Sequence, residues 1–143
     1  MKDLIIQWAK DRKIIPNSTT RIQCLKAVSE LGELADALIK HDTESVCDAI
    51  GDVMVCYYIA CDLAKHAQCY DALDILESMV MMLTEMHTAD IVSGKVPDLL
   101  SYIAATEGLK LDDCIEHAYN IIKDRKGELL PNGVFVKEEI VCL

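Results

Sequence analysis

Two pairs of acidic residues set into apolar helical runs constrain this chain more than any other feature. From Ser29 to Tyr58 it reads SELGELADALIKHDTESVCDAIGDVMVCYY. Glu30 and Glu33 are three residues apart and Asp48 and Asp52 four apart, so each pair projects from one helix face. The polar run His41-Asp42-Thr43-Glu44 interrupts the apolar pattern and predicts a helix–helix turn. The midpoint between the two pairs falls at about residue 41, at that turn. An antiparallel hairpin folded there brings all four carboxylates to one level.

Four carboxylates converging inside a bundle repel one another and lose hydration, which protons or cations must offset. An all-oxygen ligand set selects Mg²⁺ or Mn²⁺ over zinc, and Mg²⁺ commonly shares a few carboxylates with substrate phosphates. The residues therefore point to a cation site for a phosphorylated substrate, with Glu30, Glu33, Asp48 and Asp52 as metal ligands. The plainer alternative is two solvated acidic helix faces. The apolar neighbours Leu34, Ala49, Ile50 and Val53 speak against it.

Ser29-Glu30-Leu31-Gly32-Glu33-Leu34-Ala35, followed by Asp48-Ala49-Ile50-Gly51-Asp52-Val53, resembles the MazG-like nucleotide pyrophosphohydrolases of the all-α NTP pyrophosphatase superfamily, the small phage-type members above all. Their signature is Glu-x-x-Glu, a gap, then Glu-x-x-Asp. Glu30, Glu33 and Asp52 match it, while Ala49 stands where the third acid is expected and Asp48 lies one residue earlier. The resemblance implies Mg²⁺-dependent hydrolysis of a nucleoside triphosphate to monophosphate and pyrophosphate, with Mn²⁺ as a substitute ion. It makes Glu30 or Glu33 the group that orients or deprotonates water. It also implies substrate contacts for Lys26, Asn120, Lys123 and Lys126, and a stacking role for Trp8. The basic segment Ala118 to Gly127 and the tail Gly133 to Lys137 share in the likeness.

Each of these side chains also has a plain structural reading. Trp8 suits core packing, and Lys26 suits an intrahelical ion pair with Glu30. The lysines near residue 123 suit a helix C-terminus, where cations contribute a few tenths of a kcal/mol. Gly32 and Gly51 sit mid-helix at about 1 kcal/mol each relative to Ala, so close helix approach is expected at both. Cys56, Cys61, His66 and Cys69 are too irregularly spaced for zinc and read as thiols in a core.

With 143 residues the chain suits one domain over residues 1–143. It is 52% hydrophobic but only 5% aromatic, so aliphatic side chains fill the core and helices are favoured. The fold expected is all-α, an antiparallel helical bundle with a short extended C-terminal tail. A net charge of −10 argues against nucleic-acid binding. Seven cysteines without a Cys-x-x-Cys fit a reduced cytoplasmic setting, the host's for a phage-type member. No signal peptide or membrane span is visible.

Apolar periodicity predicts helices from Leu4 to about Lys13, Arg21 to Lys40, Glu44 to His66, Tyr70 to Val92, Val96 to Thr106 and Leu111 to Lys126. Leu25 and Met86 are expected on core faces, and Glu85, His87 and Asp90 on a solvated one. The third of these helices is apolar nearly all round and the fourth is rich in Met, which predicts a homodimer or homotetramer. A helical interaction protein with a structural cation is the alternative to an enzyme. A di-iron carboxylate bundle is set aside because no Glu-x-x-His occurs.

Overall fold

A computed structural model of the chain describes residues 1–138. The described residues form seven helices: α1 (Lys2–Asp11), α2 (Ile14–Asn17), α3 (Thr20–Lys40), α4 (Thr43–Ala67), α5 (Asp71–Thr88), α6 (Val96–Thr106) and α7 (Leu111–Ile122). Two short strands follow, β1 (Gly127–Leu129) and β2 (Phe135–Lys137), paired antiparallel with Glu128 opposite Val136. The tail expected to be extended is this hairpin. Cys142, one of the seven thiols, lies outside the described residues.

The central hairpin forms where the polar run predicts it. The Thr19 side chain caps α3 by accepting from Ile22 N, and the Asp42 side chain caps α4 by accepting from Ser45 N. His41, in the left-handed conformation, turns the chain between them. α4 is the hub of the bundle, packed on α1, α3, α6 and α7. Its all-round apolar character is thus absorbed within one chain: Ile50, Val53 and Met54 are fully buried, each contributing about 1.5–3 kcal/mol.

The two mid-helix glycines part company. A Cβ on Gly51 would sit 2.7 Å from Ala118 Cβ and run into the Cys114 carbonyl oxygen, so this glycine lets α4 and α7 cross at backbone distance. A Cβ on Gly32 would meet nothing within 4 Å. The close approach expected at Gly32 is not found among the described residues.

Several other expectations need correction. Ile14–Asn17, with extended backbone at Ile15, adds a tight four-residue turn where a loop was expected, tucking Ile14 and Ile15 into the core. α5 stops at Thr88 rather than Val92, because Ala89 takes a positive φ and the Glu85 side chain accepts from Val92 N. Leu25 and Met86 lie outside the core, 58% and 77% exposed. His87 is not on a solvated face: its Nε2 lies 3.0 Å from Thr106 Oγ1 and 3.7 Å from Glu107, tying α5 to α6.

α7 ends at Ile122, not Lys126. Continuation would need the carbonyls of Ile122 and Lys123 to accept from backbone N–H groups four residues on. Trp8 Nε1 takes the first at 2.7 Å, and Arg12 Nη2 takes the second at 2.9 Å. Arg12 Nε also donates to the Arg125 carbonyl at 2.8 Å. The chain therefore leaves the helix axis after Ile122 and crosses into the hairpin.

Candidate functional site

The cleft lies where α1, α3, α4 and the end of α7 meet. On α3, Gln23, Lys26, Glu30 and Glu33 alternate by three and four residues and form one polar edge beside the core stripe. On α4, Asp52, Val55, Cys56 and Ile59 face them. Trp8 and Ile14 close the apolar end, where the Phe135 ring meets Trp8 edge-on at 5.9 Å between centroids. Arg125 and Lys137 complete the wall. The enclosed volume is about 320 Å³.

Three of the four expected ligands, Glu30, Glu33 and Asp52, share this cleft, and Asp48 does not line it. Its Oδ1 lies 3.3 Å from His117 Nε2 on α7. Because α4 and α7 cross closely at Gly51, the residue one turn before Asp52 is captured by a side chain the sequence reading had not singled out. Nothing in the spacing around His117 marks it.

The carboxylates are short of compensating charge. Burial, then the charges of Asp52 and Glu33, push Glu30 up to about 7, although Lys26 pulls the other way. Burial and the neighbouring Asp48 push Asp52 up to about 6, against the opposing pull of Arg125. Burial also drives the Cys56 thiol up to about 12, so it is an inert part of the wall. Among the described residues no three His, Cys, Asp or Glu side chains close on a single point that would hold an ion. The donor set nevertheless fits a hard divalent ion: carboxylate oxygen atoms on one cleft, with Glu30 and Asp52 raised in pKa by burial and by their acidic neighbours.

The cations differ from those expected. Asn120, Lys123 and Lys126 do not line the cleft. Lys123 Nζ donates to Asn120 Oδ1 at 3.1 Å on the exposed side, and Lys126 borders a separate depression beside the hairpin. Their common line required α7 to continue past Ile122. The turn there presents Arg125 instead, from the same basic run, and the hairpin brings Lys137. Lys26 does line the cleft and makes no ion pair with Glu30.

Trp8 packs as its structural reading expects and also borders the cleft. It is 8% exposed, donates to α7 and carries the Arg12 guanidinium over its ring at 4.8 Å, yet it also lines the cleft. Gln23, which the sequence reading missed, is 2% exposed and donates to Ser18 Oγ at 3.0 Å beside the apolar end. The signal for it was present, since position 23 continues the spacing of 26, 30 and 33.

Among curated proteins the chain is similar to an uncharacterized 18.2 kDa protein of the rep–hol intergenic region of Haemophilus phage HP1 (strain HP1c1). The two are 37% identical over 62 residues, which are 43% of this chain and 36% of the phage protein. The match thus spans little more than a third of that relative's length. No protein-family profile and no solved structure matches the chain. No described helix is long and apolar enough to cross a membrane.

Proposed function

We propose that the chain is a divalent-cation-dependent nucleoside triphosphate pyrophosphohydrolase, in line with its resemblance to the MazG-like all-α NTP pyrophosphatases. The observation that carries this reading is one cleft with three parts. It has a carboxylate edge (Glu30, Glu33, Asp52), a set of cations (Lys26, Arg125, Lys137) and an apolar end (Trp8, Ile14, Phe135). A triphosphate needs the first two, and a nucleoside suits the third.

Glu30, Glu33 and Asp52 would hold Mg²⁺, or Mn²⁺ in its place, which when bound supplies Lewis-acid polarisation of phosphate oxygens. Lys26 and Arg125 flank the carboxylates and balance charge on the phosphate chain. Glu30, with its raised pKa, is the side chain best placed to take a proton from an attacking water near neutral pH. Trp8 and Phe135 offer an aromatic edge and face for the base. The apolar wall limits water on that side of the cleft.

The test is a panel of ribo- and deoxynucleoside triphosphates with Mg²⁺, run in ¹⁸O-water and scored for products. Attack at the α-phosphorus gives pyrophosphate and a labelled monophosphate. Label in free phosphate sinks the reading. Cation-dependent thermal stabilisation without turnover of any nucleotide leaves the interaction protein with a structural cation.

A further inference from the structure

The apolar end of the cleft offers a bound molecule few hydrogen bonds. Among the described residues that line it, Ile14, Val55, Ile59 and Phe135 carry no polar side-chain atom. The Trp8 indole N–H is already committed to the Ile122 carbonyl at 2.7 Å. The Cys56 thiol is a weak partner. That leaves the Gln23 amide, with two N–H donors and one acceptor oxygen, on a residue 2% exposed.

Only part of that amide is used. Nε2 donates to the Oγ of Ser18, itself buried just before α3, at 3.0 Å. No group among the described residues donates to Oε1. Nor is that oxygen sealed in the core, as Thr20 Oγ1 and Asp62 Oδ2 are, so it opens on the cleft that Gln23 lines. A nearly buried carbonyl oxygen without a partner is unfavourable, and a bound donor removes the penalty. The position suits a nucleotide as well. Gln23 and Glu30 share one edge of α3 about 10 Å apart along its axis, with Lys26 between them. A nucleotide covers much of that distance from base edge to phosphate.

We infer, building on the nucleotide reading of this cleft, that Gln23 is its specificity-determining residue: Oε1 accepts from an exocyclic amino group of the base, so cytosine and adenine nucleotides are preferred. Cytosine carries that group at N4 and adenine at N6, where uracil, thymine and hypoxanthine present a carbonyl oxygen instead. With those bases two acceptors face each other and Oε1 stays unpaired. A site built around a hydrogen-bonding group rejects a ligand lacking the partner more sharply than an apolar pocket rejects a change of size. Ser18 is a positioning residue, because its hydroxyl holds Nε2 and so aims Oε1 at the cleft. Trp8 and Phe135 add contact that every base can make, since each has an aromatic face.

The experiment compares substrates in pairs of equal ring size, CTP against UTP and ATP against ITP, on the full chain with Mg²⁺. kcat/KM is expected to favour the amino member of each pair by about tenfold to a hundredfold. A CTP analogue with hydrogen in place of the 4-amino group should fall toward UTP, and this arm needs no variant. Gln23→Met and Ser18→Ala should each bring both ratios toward one. A merely structural defect would lower both members of a pair together and leave the ratio intact. Titration calorimetry with α,β-imido analogues of CTP and UTP separates base reading from chemistry. Selective binding without turnover of any nucleotide sinks the pyrophosphohydrolase reading and keeps Gln23 as the base reader. Turnover with wild-type ratios near one, or ratios unmoved in Gln23→Met, overturns the role of Gln23 alone. Neither binding nor turnover overturns both.

Discussion

α3 and α4 carry the same pair of devices, two acids one turn apart with a glycine beside them, and the bundle uses them in different ways. On α3 both acids, Glu30 and Glu33, line the cleft, while Gly32 faces open space. On α4 only Asp52 lines it, Asp48 is held by His117, and Gly51 lies against the backbone of α7. The difference comes from what crosses behind each helix. α7 presses on α4 at the level of its acids, whereas none of the described residues presses on α3 at Gly32. Spacing of about one turn in sequence therefore sets a shared face, and the helix crossing behind it decides which members of that face reach the site.

The largest break in this comparison should come from the acids that share the cleft. Glu33→Gln and Asp52→Asn should each lower turnover of the best nucleotide by about a hundredfold or more, given that loss of outer partners alone costs metal sites 10–100-fold. Steady-state kinetics across a Mg²⁺ series measures this. Retained turnover in both variants would remove the cleft from the chemistry.

Gly51→Ala comes next. Its Cβ would collide with backbone, not with a flexible side-chain end, so α4 and α7 must separate. Urea unfolding should show destabilisation of about 2–3 kcal/mol, the upper range for overpacking. An unchanged midpoint would mean that the crossing is looser than the geometry here.

The unequal charge environments give a pH test. Glu30 and Asp52 have folded pKa values near 7 and 6, above their ordinary 4.5 and 3.8. The folded state thus binds more protons than the unfolded state between about pH 4 and 7, so stability without metal should fall as pH rises through that window. Added Mg²⁺ should raise the melting temperature more at pH 7.5 than at pH 5, because it competes with those protons. Thermal melts over pH with and without Mg²⁺ check both signs, and a metal effect larger at pH 5 would contradict the assignment.

Gly32→Ala sharpens the contrast from the other side. With nothing within 4 Å of the added Cβ, it should stabilise the chain by up to about 1 kcal/mol, the full helix-propensity difference. Opposite signs at positions 32 and 51 would distinguish a glycine in open space from one packed between two helices.

The smallest effect is expected at Asp48. Its partly exposed pair with His117 is worth at most about 1 kcal/mol, so Asp48→Asn should change kcat/KM no more than about fivefold. A loss as deep as that of Asp52→Asn would return Asp48 to the ligand set through a rotamer change.

The sequence by itself determined the presence of the six longer helices, the hairpin turn at His41–Glu44 and the facing of Glu30, Glu33 and Asp52. Those features follow from local rules: apolar period, side-chain caps and residues one turn apart. It also contained the apolar period of α3 and α5, though that spacing alone did not reveal that Leu25 and Met86 would stay outside the core. Tertiary structure alone decided which cations meet the acids. Trp8 on α1 and Arg12 just past its end claim the carbonyls that would have continued α7 past Ile122, and this turns Arg125 rather than Lys123 or Lys126 toward the cleft. Those contacts join residues more than a hundred positions apart. No helical period reaches that far, because the side chains that end α7 belong to another helix.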